Sequence, residues 1–457
     1  METSPPPIQD DTIAAIATAV GGAIAVIRIS GPDALDYGQA VWRGACPLAA
    51  CQPRQLQLGS ILDADGYSLD KCLAVYFPAP ASYTGEHMVE LHCHGGIYSA
   101  RAVLMRVLDV GARAAEPGEF TKRAFLNGKM DLTQAEAVAD IISAHTKMAL
   151  HLANCQMDGA LGQRINGLYD QVLDVLSEAE SRMDFPEEDL DWVDSADLQQ
   201  RLTDSLNEIN RLLEFRREGE ILRHGVRLVI AGHPNVGKSS LMNAILGRDR
   251  AIVTHLPGTT RDTLEELAHI RGIPVRLIDT AGIRDAENII EQSGIERSWA
   301  SIRQAQVVVW VFDVGRPFDK QIYPPQLEGP PVVLVGNKID KLSDTPSDDV
   351  NTSVGRPVYT CALSGEGMEA LYDAIERAVW NRPHGEELDT AVSARHAQLL
   401  ELTRRGIEDA CEHLQHDSWE VVAFNLREAL DAIGRISGRT VAPDILDTIF
   451  SRFCVGK

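Results

Sequence analysis

The sequence predicts a chain of three parts: an α+β N-terminal domain and an all-α helical domain that is interrupted by an inserted α/β domain. Residues 23–94 contain three short apolar runs that end at glycine or proline, as the strands of a small α+β domain do. Residues 130–184 contain no proline and repeat apolar side chains at helical spacing, a pattern that returns at residues 392–450. Insertion is tolerated where the ends of the inserted part lie close together, so we expect the two helical stretches to pack on each other.

Length and composition limit the classes of protein that the chain can be. Its 457 residues correspond to about three domains at roughly 150 residues each. A content of 44% hydrophobic and 24% charged residues is typical of a soluble globular protein. No apolar run reaches the roughly 18–20 residues of a membrane span, and residues 1–7 lack the features of a signal or transit peptide. Eight cysteines without a C-x-x-C pair indicate reduced thiols, so we expect a cytoplasmic protein.

The formal net charge of −23 bears on possible partners. Such a chain should repel a polyphosphate unless basic side chains cluster locally. The sequence contains no lysine-rich or arginine-rich run. A nucleic-acid substrate would therefore bind a local patch or a more basic partner protein.

Polar side chains share one face of a predicted strand in the N-terminal domain. The strands are expected at residues 23–29, 73–77 and 88–94, followed by a helix at residues 97–110. In the third strand Glu90, His92 and His94 lie on the same side, because side chains alternate. A His-x-His pair with a carboxylate can ligate zinc, which is one interpretation. We favour a pocket for a polar small molecule, since the sequence offers no further strong ligand.

The helical stretches are interrupted by an acidic run, Phe-Pro-Glu-Glu-Asp at residues 185–189. Carboxylates suit the positive end of a helix dipole, so the run is interpreted as the start of the next helix, expected at residues 195–221. A catalytic acidic cluster is the alternative. Residues 381–386 have the composition of a linker that ends the inserted domain.

Residues 232–240 of the inserted domain, Gly-His-Pro-Asn-Val-Gly-Lys-Ser-Ser, have the pattern of a P-loop. The run follows the apolar residues 226–231 and precedes helical spacing at residues 241–246, which is the strand–loop–helix context that a P-loop needs. Its glycines let backbone N–H groups turn toward a triphosphate, and the helix N-terminus adds a positive dipole end. Lys238 would contact the β- and γ-phosphates, and the Ser239 hydroxyl would ligate Mg²⁺.

Three further motifs follow apolar runs and identify the nucleotide. Residues 279–282, Asp-Thr-Ala-Gly, can hold Mg²⁺ through water and contact the γ-phosphate with the glycine N–H. Residues 337–340, Asn-Lys-Ile-Asp, place Asp340 to accept hydrogen bonds from guanine N1–H and the 2-amino group, a donor pair that adenine lacks. Residues 361–363, Cys-Ala-Leu, stand where guanine-binding domains carry Ser-Ala-Lys, so two positions depart. Together the four motifs predict that the inserted α/β domain is a P-loop GTPase domain that binds GTP.

Beyond these motifs, the chain resembles the MnmE (TrmE) family of tRNA-modifying GTPases over its whole length. The P-loop with Asn235 belongs to the resemblance, and Phe-Cys-Val-Gly-Lys at the C-terminus is highly specific for it. The other matching stretches are residues 27–31, 83–86, 94–96, 117–129 and 251–262. The resemblance implies a homodimer that works with an FAD-containing partner, MnmG (GidA), in a heterotetramer or larger complex, with the FAD on the partner subunit.

In such a complex, the resemblance implies that a (carboxymethyl)aminomethyl group is added to C5 of the wobble uridine of tRNA. The one-carbon unit would come from a tetrahydrofolate derivative in its 5-formyl or 5,10-methylene form. By resemblance Arg28, Glu90, Lys129 and Lys457 line the folate site, where the carboxylate suits the pterin edge and the cations suit the glutamate carboxylates. Many family members carry Pro-Gly-Arg-Gly-Gly before the first strand, whereas this chain has Val20-Gly21-Gly22 without the arginine.

The resemblance also implies how GTP is hydrolysed. Many switch GTPases orient water with a glutamine at the position that Ile283 occupies here. By resemblance, K⁺ beside the phosphates would stabilise transition-state charge, and Glu291 would orient or activate the water; an exposed helix glutamate is the alternative for Glu291. The implied metal ligands are Ser239 and Thr260 for Mg²⁺, and Asn235, Thr254, Leu256 and Thr259 for K⁺. The implied GTP-binding residues are Asn235, Val236, Gly237, Lys238, Ser239, Ser240, Thr254, His255, Leu256, Pro257, Gly258, Thr259, Thr260, Asp279, Thr280, Ala281, Gly282, Asn337, Lys338, Asp340 and Ala362.

Two other functions stay open on the sequence. A regulatory switch GTPase, such as one in ribosome assembly, shares the nucleotide motifs but usually carries an RNA-binding module and a basic region. A folate-dependent aminomethyltransferase with a silent nucleotide domain is the other, although Lys238, Asp279 and Asp340 are intact. Cys454 is a possible reactive thiol, because it belongs to the C-terminal motif.

The predicted domains are residues 1–128 for folate binding and dimerisation, 129–221 and 383–457 for the two helical parts, and 222–382 for the GTPase domain.

Overall fold

The structure, a computed structural model, describes residues 11–185, 192–249, 265–279, 302–317, 329–342, 356–380 and 390–457. The chain divides into two compact units. Unit 1 comprises Met1–Ala139, Gln156–Ile209 and Gln398–Lys457, and unit 2 comprises Asp140–Cys155 and Asn210–Ala397. The bounds of the four predicted segments remain predictions.

The described residues include thirteen strands and thirteen helices. The strands are β1 (Ile13–Ile16), β2 (Ile24–Ser30), β3 (Trp42–Gly44), β4 (Gln57–Leu62), β5 (Ser68–Phe77), β6 (Met88–His94), β7 (Arg113–Ala114), β8 (Val226–Gly232), β9 (Glu265–Ile270), β10 (Ile273–Asp279), β11 (Val307–Asp313), β12 (Val332–Asn337) and β13 (Val358–Thr360). The helices are α1 (Ala34–Val41), α2 (Ile97–Asp109), α3 (Glu119–Leu126), α4 (Leu132–Ser143), α5 (Lys147–Met157), α6 (Ala160–Asp184), α7 (Ser195–Glu214), α8 (Arg216–His224), α9 (Lys238–Asp249), α10 (Met368–Trp380), α11 (Ala394–Leu414), α12 (Trp419–Ser437) and α13 (Pro443–Phe450).

The N-terminal part of unit 1 is a seven-stranded sheet in the order β3-β4-β5-β6-β2-β1-β7. Its neighbouring strands run antiparallel except β1 and β7, which are parallel. Strands β2, β5 and β6 correspond to the three strands predicted from the sequence. Strand β5 begins at Ser68, earlier than predicted, because its polar first half pairs with β4, where Lys71 lies opposite Ser60. Cross-strand pairing of this kind is not visible in apolar periodicity.

Helices α1 and α2 cover one face of this sheet, and on the opposite face β2 and β6 carry polar side chains. Ile27 of β2 and Leu91 of β6 are buried in a cluster with Val103 and Val107 of α2. Because side chains alternate along a strand, their neighbours Arg28 and Glu90 point to the opposite face. These two residues are direct partners in the antiparallel register of β2 and β6.

The remainder of unit 1 is helical, as predicted. Helix α6, which precedes the long segment Asn210–Ala397 of unit 2 in the sequence, packs along α12, which follows that segment. This packing agrees with a helical domain into which another unit is inserted. The predicted helix at residues 195–221 is divided in two, since α7 ends at Glu214 and α8 begins at Arg216.

Unit 2 contains a six-stranded sheet in the order β13-β12-β11-β8-β10-β9. All neighbouring pairs are parallel except β9 and β10. Strands β8, β11 and β12 are apolar through most of their length, as expected of parallel strands that are buried on both faces. The carboxyl ends of five parallel strands meet at one edge, where α/β sheets bind ligands. Gly232, Asp279, Asp313, Asn337 and Thr360 end these strands.

Within the described parts of the chain, no helix is long and apolar enough to cross a membrane.

Candidate functional site

The predicted P-loop connects β8 to α9 at the ligand-binding edge of the unit 2 sheet. Gly232 and Gly237 adopt φ angles of 146° and 100°, which side chains rarely allow. A Cβ atom would lie 2.2 Å from Val311 O at Gly232 and 2.2 Å from Asn337 Nδ2 at Gly237. Asn235 also has a positive φ of 66°, which asparagine tolerates better than most residues. The loop therefore packs its backbone closely against β11 and β12, and it ends where α9 starts.

The cation and hydroxyl predicted to bind phosphate and Mg²⁺ begin α9. Lys238 Nζ donates a hydrogen bond to the His233 carbonyl at 3.0 Å, so the ammonium group lies over the loop. Ser239 and Ser240 follow in the first turn of the helix. This turn is the place where backbone N–H groups and the helix dipole attract an anion.

Asn337 joins the predicted base-recognition motif to the P-loop. The residue is 1% exposed, and its Nδ2 donates to the Val236 carbonyl at 3.0 Å. Its Oδ1 accepts a hydrogen bond from the Ala362 backbone N–H at 3.1 Å. Three of the predicted nucleotide-binding segments are therefore held together by one buried amide.

Lys338 has a left-handed backbone, with φ of 71°. Its Nζ donates to Asn235 O at 2.5 Å and to Asp313 Oδ2 at 2.8 Å. Burial raises the pKa of Asp313, but hydrogen bonds from Lys338 and the Gly315 N–H and the nearby lysine charges outweigh it and hold the pKa below its usual range. Asp313 was not predicted from the sequence, although an aspartate at the end of the apolar run 307–313 is the signal that could have revealed it.

Asp340 lies in the short 3₁₀ turn Ile339–Lys341 with an exposed side chain. Its Oδ1 accepts a hydrogen bond from Cys361 Sγ at 3.2 Å. Leu363, which replaces the usual lysine of the motif, is 86% exposed. The departure at residue 361 therefore retains a donor to the aspartate, whereas the departure at residue 363 leaves an apolar side chain on the surface.

Some predicted site residues cannot be placed. Asp279 is the last residue of β10, at the expected edge of the sheet. Outside the described residues lie Thr254, His255, Leu256, Pro257, Gly258, Thr259, Thr260, Thr280, Ala281, Gly282, Ile283, Glu291 and most of the acidic run at 185–189. The predicted roles of these residues in K⁺ binding, Mg²⁺ binding and catalysis stay predictions.

In unit 1, the polar face of the sheet brings together the first two predicted folate-binding residues. Arg28 Nε lies 2.9 Å from Glu90 Oε1, and His92 Nε2 lies 3.3 Å from Glu90 Oε2. The Arg28 guanidinium also lies over the Tyr83 and Phe120 rings, at 5.3 and 5.6 Å from their centroids. Burial raises the pKa of Glu90, but the hydrogen bond from His92 and the charge and hydrogen bond of Arg28 outweigh it and keep the pKa below its usual range.

The C-terminal segment of the chain docks beside Arg28. Val455 forms an isolated bridge with Pro117, and the Gly118 N–H donates to Cys454 O at 3.4 Å. Arg28 Nη1 donates to Gly456 O at 3.5 Å. At Gly456, with φ of 96°, a Cβ atom would lie only 2.3 Å from Ile16 O. The backbone of the C-terminal motif thus fits closely against the N-terminal sheet.

The other predicted residues of this site lie on the loops around it. Lys129 Nζ donates to Pro80 O at 3.1 Å, on the loop that also carries Tyr83. Lys457 is partly exposed, and its N–H donates to Cys454 O at 3.3 Å. Cys454 is exposed. The structure therefore brings Arg28, Glu90 and the C-terminal backbone into contact, while Lys129 and Lys457 bond to backbone carbonyls of the surrounding loops.

His94 and the loop at residues 20–22 each bond to partners within the N-terminal sheet domain. His94 Nδ1 pairs with Asp70 Oδ1 at 2.6 Å rather than joining Glu90. Across the described ranges, no group of three or more His, Cys, Asp or Glu side chains has the arrangement of a metal site. The atypical loop is anchored by its backbone, since the Gly21 N–H donates to Gly95 O at 2.9 Å.

Comparisons with known proteins agree with the motifs in both units. A family model described as the MnmE helical domain matches residues 132–454, and one described as the N-terminus of the GTP-binding protein TrmE matches residues 12–129. The tRNA modification GTPase MnmE of Akkermansia muciniphila is 44% identical over 453 residues, which cover 98% of this chain and 99% of that protein. The protein of the same name from Synechococcus sp. (strain JA-3-3Ab) is 43% identical over 459 residues, covering 98% of both chains. The solved FeoB G-domain of Methanococcus jannaschii is 25% identical and covers 34% of this chain and 97% of its own, with a TM-score of 0.26.

Proposed function

Because this chain belongs to the MnmE family of tRNA modification GTPases, we propose that it hydrolyses GTP in a complex that adds a (carboxymethyl)aminomethyl group to C5 of the wobble uridine of tRNA. The observation that carries the GTPase part is the buried Asn337 amide, which bonds both the P-loop at Val236 and the loop at Ala362. One side chain thereby sets the distance between the phosphate-binding and base-binding segments.

The selection of GTP over ATP follows from Asp340. A carboxylate accepts two hydrogen bonds side by side, which matches the N1–H and 2-amino donors of guanine. Adenine presents no such donor pair. The exposed position of Asp340 in its 3₁₀ turn supports a role in binding a ligand rather than in packing.

A one-carbon carrier is proposed for the polar face in unit 1. The Glu90 and Arg28 side chains are 14% and 17% exposed, so the ion pair is shielded from solvent but not fully buried. Such a pair fits the amide-like edge of a pterin and a carboxylate tail. A tetrahydrofolate derivative in its 5-formyl or 5,10-methylene form would supply the one-carbon unit there, with Lys129 and Lys457 contributing from the surrounding loops.

The remaining parts of the proposal rest on the family resemblance. They are a homodimer in the cytoplasm, an FAD-containing MnmG (GidA) partner, Mg²⁺ held by Ser239 and Thr260, K⁺ held near Asn235, and Glu291 as the residue that orients water. The net charge of −23 supports a partner that contributes to binding tRNA, because an acidic chain alone repels a polyanion.

Mass spectrometry of tRNA nucleosides tests this function directly. In cells that lack the chain, C5-aminomethyl-type uridines should disappear, and the wild-type chain should restore them. Glu291→Ala should fail to restore them while still binding GTP, and Leu363→Ala, a change at an exposed side chain, should restore them fully. Normal wobble uridines together with defective ribosomal subunits would instead favour a ribosome-assembly switch.

A further inference from the structure

Four charged side chains in the N-terminal part of unit 1 form a closed ionic ring. Arg113 Nε lies 2.6 Å from Asp11 Oδ2, and Arg113 Nη2 lies 2.5 Å from Glu119 Oε1. Arg123 Nη2 closes the ionic ring, at 2.6 Å from Asp11 Oδ1 and 3.1 Å from Glu119 Oε1. The Arg123 and Glu119 side chains are only 4% and 10% exposed. Two cations and two carboxylates therefore neutralise each other in a partly buried place.

The ionic ring keeps both of its carboxylates charged. Burial raises the pKa of Glu119, but hydrogen bonds from Arg113, the Glu116 N–H and Arg123, together with the Arg123 charge, outweigh it and hold the pKa below its usual range. Burial also raises the pKa of Asp11, and the hydrogen bonds and charges of the same two arginines lower it by more. Removal of one partner from such a network leaves a shielded charge without compensation. Each member therefore holds the others in one arrangement.

Glu119 fixes the turn that receives the C-terminal segment. Its Oε2 accepts a hydrogen bond from the Glu116 N–H at 2.8 Å. The next residue, Pro117, forms the bridge with Val455 of the C-terminal segment. At Gly118, with φ of 69°, a Cβ atom would lie 2.6 Å from a carbonyl oxygen of α13. The ionic ring thereby sets the position of the backbone against which the C-terminal residues dock.

Arg123 fixes the loop against which Arg28 packs. Arg123 Nη1 lies 3.2 Å from Glu86 Oε1, and Glu86 Oε2 accepts a hydrogen bond from the Ser30 hydroxyl at 2.8 Å. Ser30 follows Arg28 by two positions on β2, so the two side chains leave the strand on the same face. The loop also carries Tyr83, whose ring centroid is 5.3 Å from the Arg28 guanidinium carbon. The ionic ring is therefore tied to the strand and the loop that bear Arg28 and its neighbour.

We propose that the ionic ring positions the candidate one-carbon-carrier site, with Glu119 and Arg123 as positioning residues that do not touch the ligand. Glu119 holds the turn that docks the C-terminal segment, and Arg123 holds the loop that carries Tyr83. Both segments contact Arg28, so one network orders two sides of the site. Segments that are ordered before a ligand arrives lose less conformational freedom when it binds. The inference rests on the proposed one-carbon carrier and adds residues that shape its site.

The competing interpretation is that the ionic ring only stabilises the N-terminal domain as a whole. General destabilisation lowers the melting temperature without selecting one segment. Loss of positioning instead frees the C-terminal segment and weakens carrier binding at temperatures where the domain is still folded. Glu208→Gln is the matched control, because it removes the charge from the Arg164–Glu208 pair of 2.6 Å in the helical part of unit 1.

Three measurements on full-length protein, made well below the melting temperatures, test the proposal. They are the rate at which carboxypeptidase releases the C-terminal residues, the affinity for 5-formyltetrahydrofolate and the affinity for GDP. Glu119→Gln should release these residues about tenfold faster and bind 5-formyltetrahydrofolate about three- to tenfold more weakly, as expected for weakened bonds between charged groups, with GDP affinity unchanged. Asp11→Asn should change the same two readouts by a smaller factor, and it reports on the ionic ring should Glu119→Gln fail to fold, because Asp11 is 35% exposed. Glu208→Gln should leave all three readouts at wild-type values.

Two results would overturn the proposal. One is wild-type release of the C-terminal residues together with wild-type affinity for 5-formyltetrahydrofolate in Glu119→Gln. The other is equally fast release in Glu208→Gln, since that would assign the effect to general loosening of unit 1. A wild-type protein that does not bind 5-formyltetrahydrofolate would instead contradict the proposed one-carbon carrier, while release of the C-terminal residues would still test the ionic ring, so the two failures can be told apart.

Discussion

The two candidate sites differ in how their parts are distributed along the sequence. The nucleotide site is built from short motifs, each of which lies at the end of one of the parallel strands of the unit 2 sheet. The site on the polar face of unit 1 is built from residues that are far apart, since Arg28 contacts the carbonyl of Gly456, 428 positions away. The first can be located by local patterns because parallel strands end at a common edge. The second depends on a chain terminus returning to the first strands, which no local pattern reveals.

We expect single side chains to determine which nucleotide the site in unit 2 binds. Asp340→Asn should reverse the nucleotide preference by about 100-fold or more in favour of xanthine nucleotides, because a site built on hydrogen bonds strongly rejects a ligand with a mismatched donor pattern. Competition of GDP and XDP against a fluorescent nucleotide measures this. Asp373→Asn, at a carboxylate that is 55% exposed on α10, is the control. Retention of GDP preference in Asp340→Asn would remove Asp340 from base recognition.

A change of monovalent cation should produce the next largest effect. GTP hydrolysis is expected to be about tenfold or more faster in K⁺ than in Na⁺ at matched ionic strength, because Ile283 stands where a glutamine would act and a cation is needed to stabilise charge. Asn235→Gly removes the predicted ligand while allowing the positive φ of 66°, and should bring the two rates together. Equal rates in the wild type would end the K⁺ proposal.

How much of each site could be predicted from the sequence depends on whether its interactions are local or join distant segments. Strand ends and glycine positions of the nucleotide site were predictable, because periodicity and backbone conformation are local properties. The Lys338–Asp313 and Cys361–Asp340 contacts were not, because they depend on which strands are neighbours and on their register. In unit 1, alternation placed Glu90 and His92 on one face, but the partnership with Arg28 required the register of β2 and β6.

A substitution at Gly456 tests whether the unit 1 site depends on the docked C-terminal segment. In Gly456→Ala the new Cβ would lie 2.3 Å from Ile16 O at a φ of 96°, so the C-terminal segment should detach. We expect about tenfold weaker binding of 5-formyltetrahydrofolate and faster digestion of the C-terminus by carboxypeptidase, given the strain of a few kcal/mol at such a site. Gly167→Ala is the control, because a Cβ there meets open space. Unchanged digestion and binding would show that the docked terminus is dispensable for this site.

The smallest expected effect is the contribution of Glu90 to stability and its dependence on pH. The Glu90 pKa lies below its ordinary value of 4.5 in the folded protein, because the hydrogen bond from His92 and the charge of Arg28 outweigh burial. The ionised form is therefore favoured by folding, and its stabilisation is complete above about pH 4.5 and is lost as the pH falls through the lowered value. Glu90→Gln should melt a few degrees below the wild type at pH 7, with about 1–2 kcal/mol lost, and the two melting temperatures should converge at acidic pH. Glu116→Gln, at an exposed glutamate in the same domain, should track the wild type throughout. A gap that persists unchanged at low pH would mean that Glu90 stabilises the sheet by packing and not through its charge.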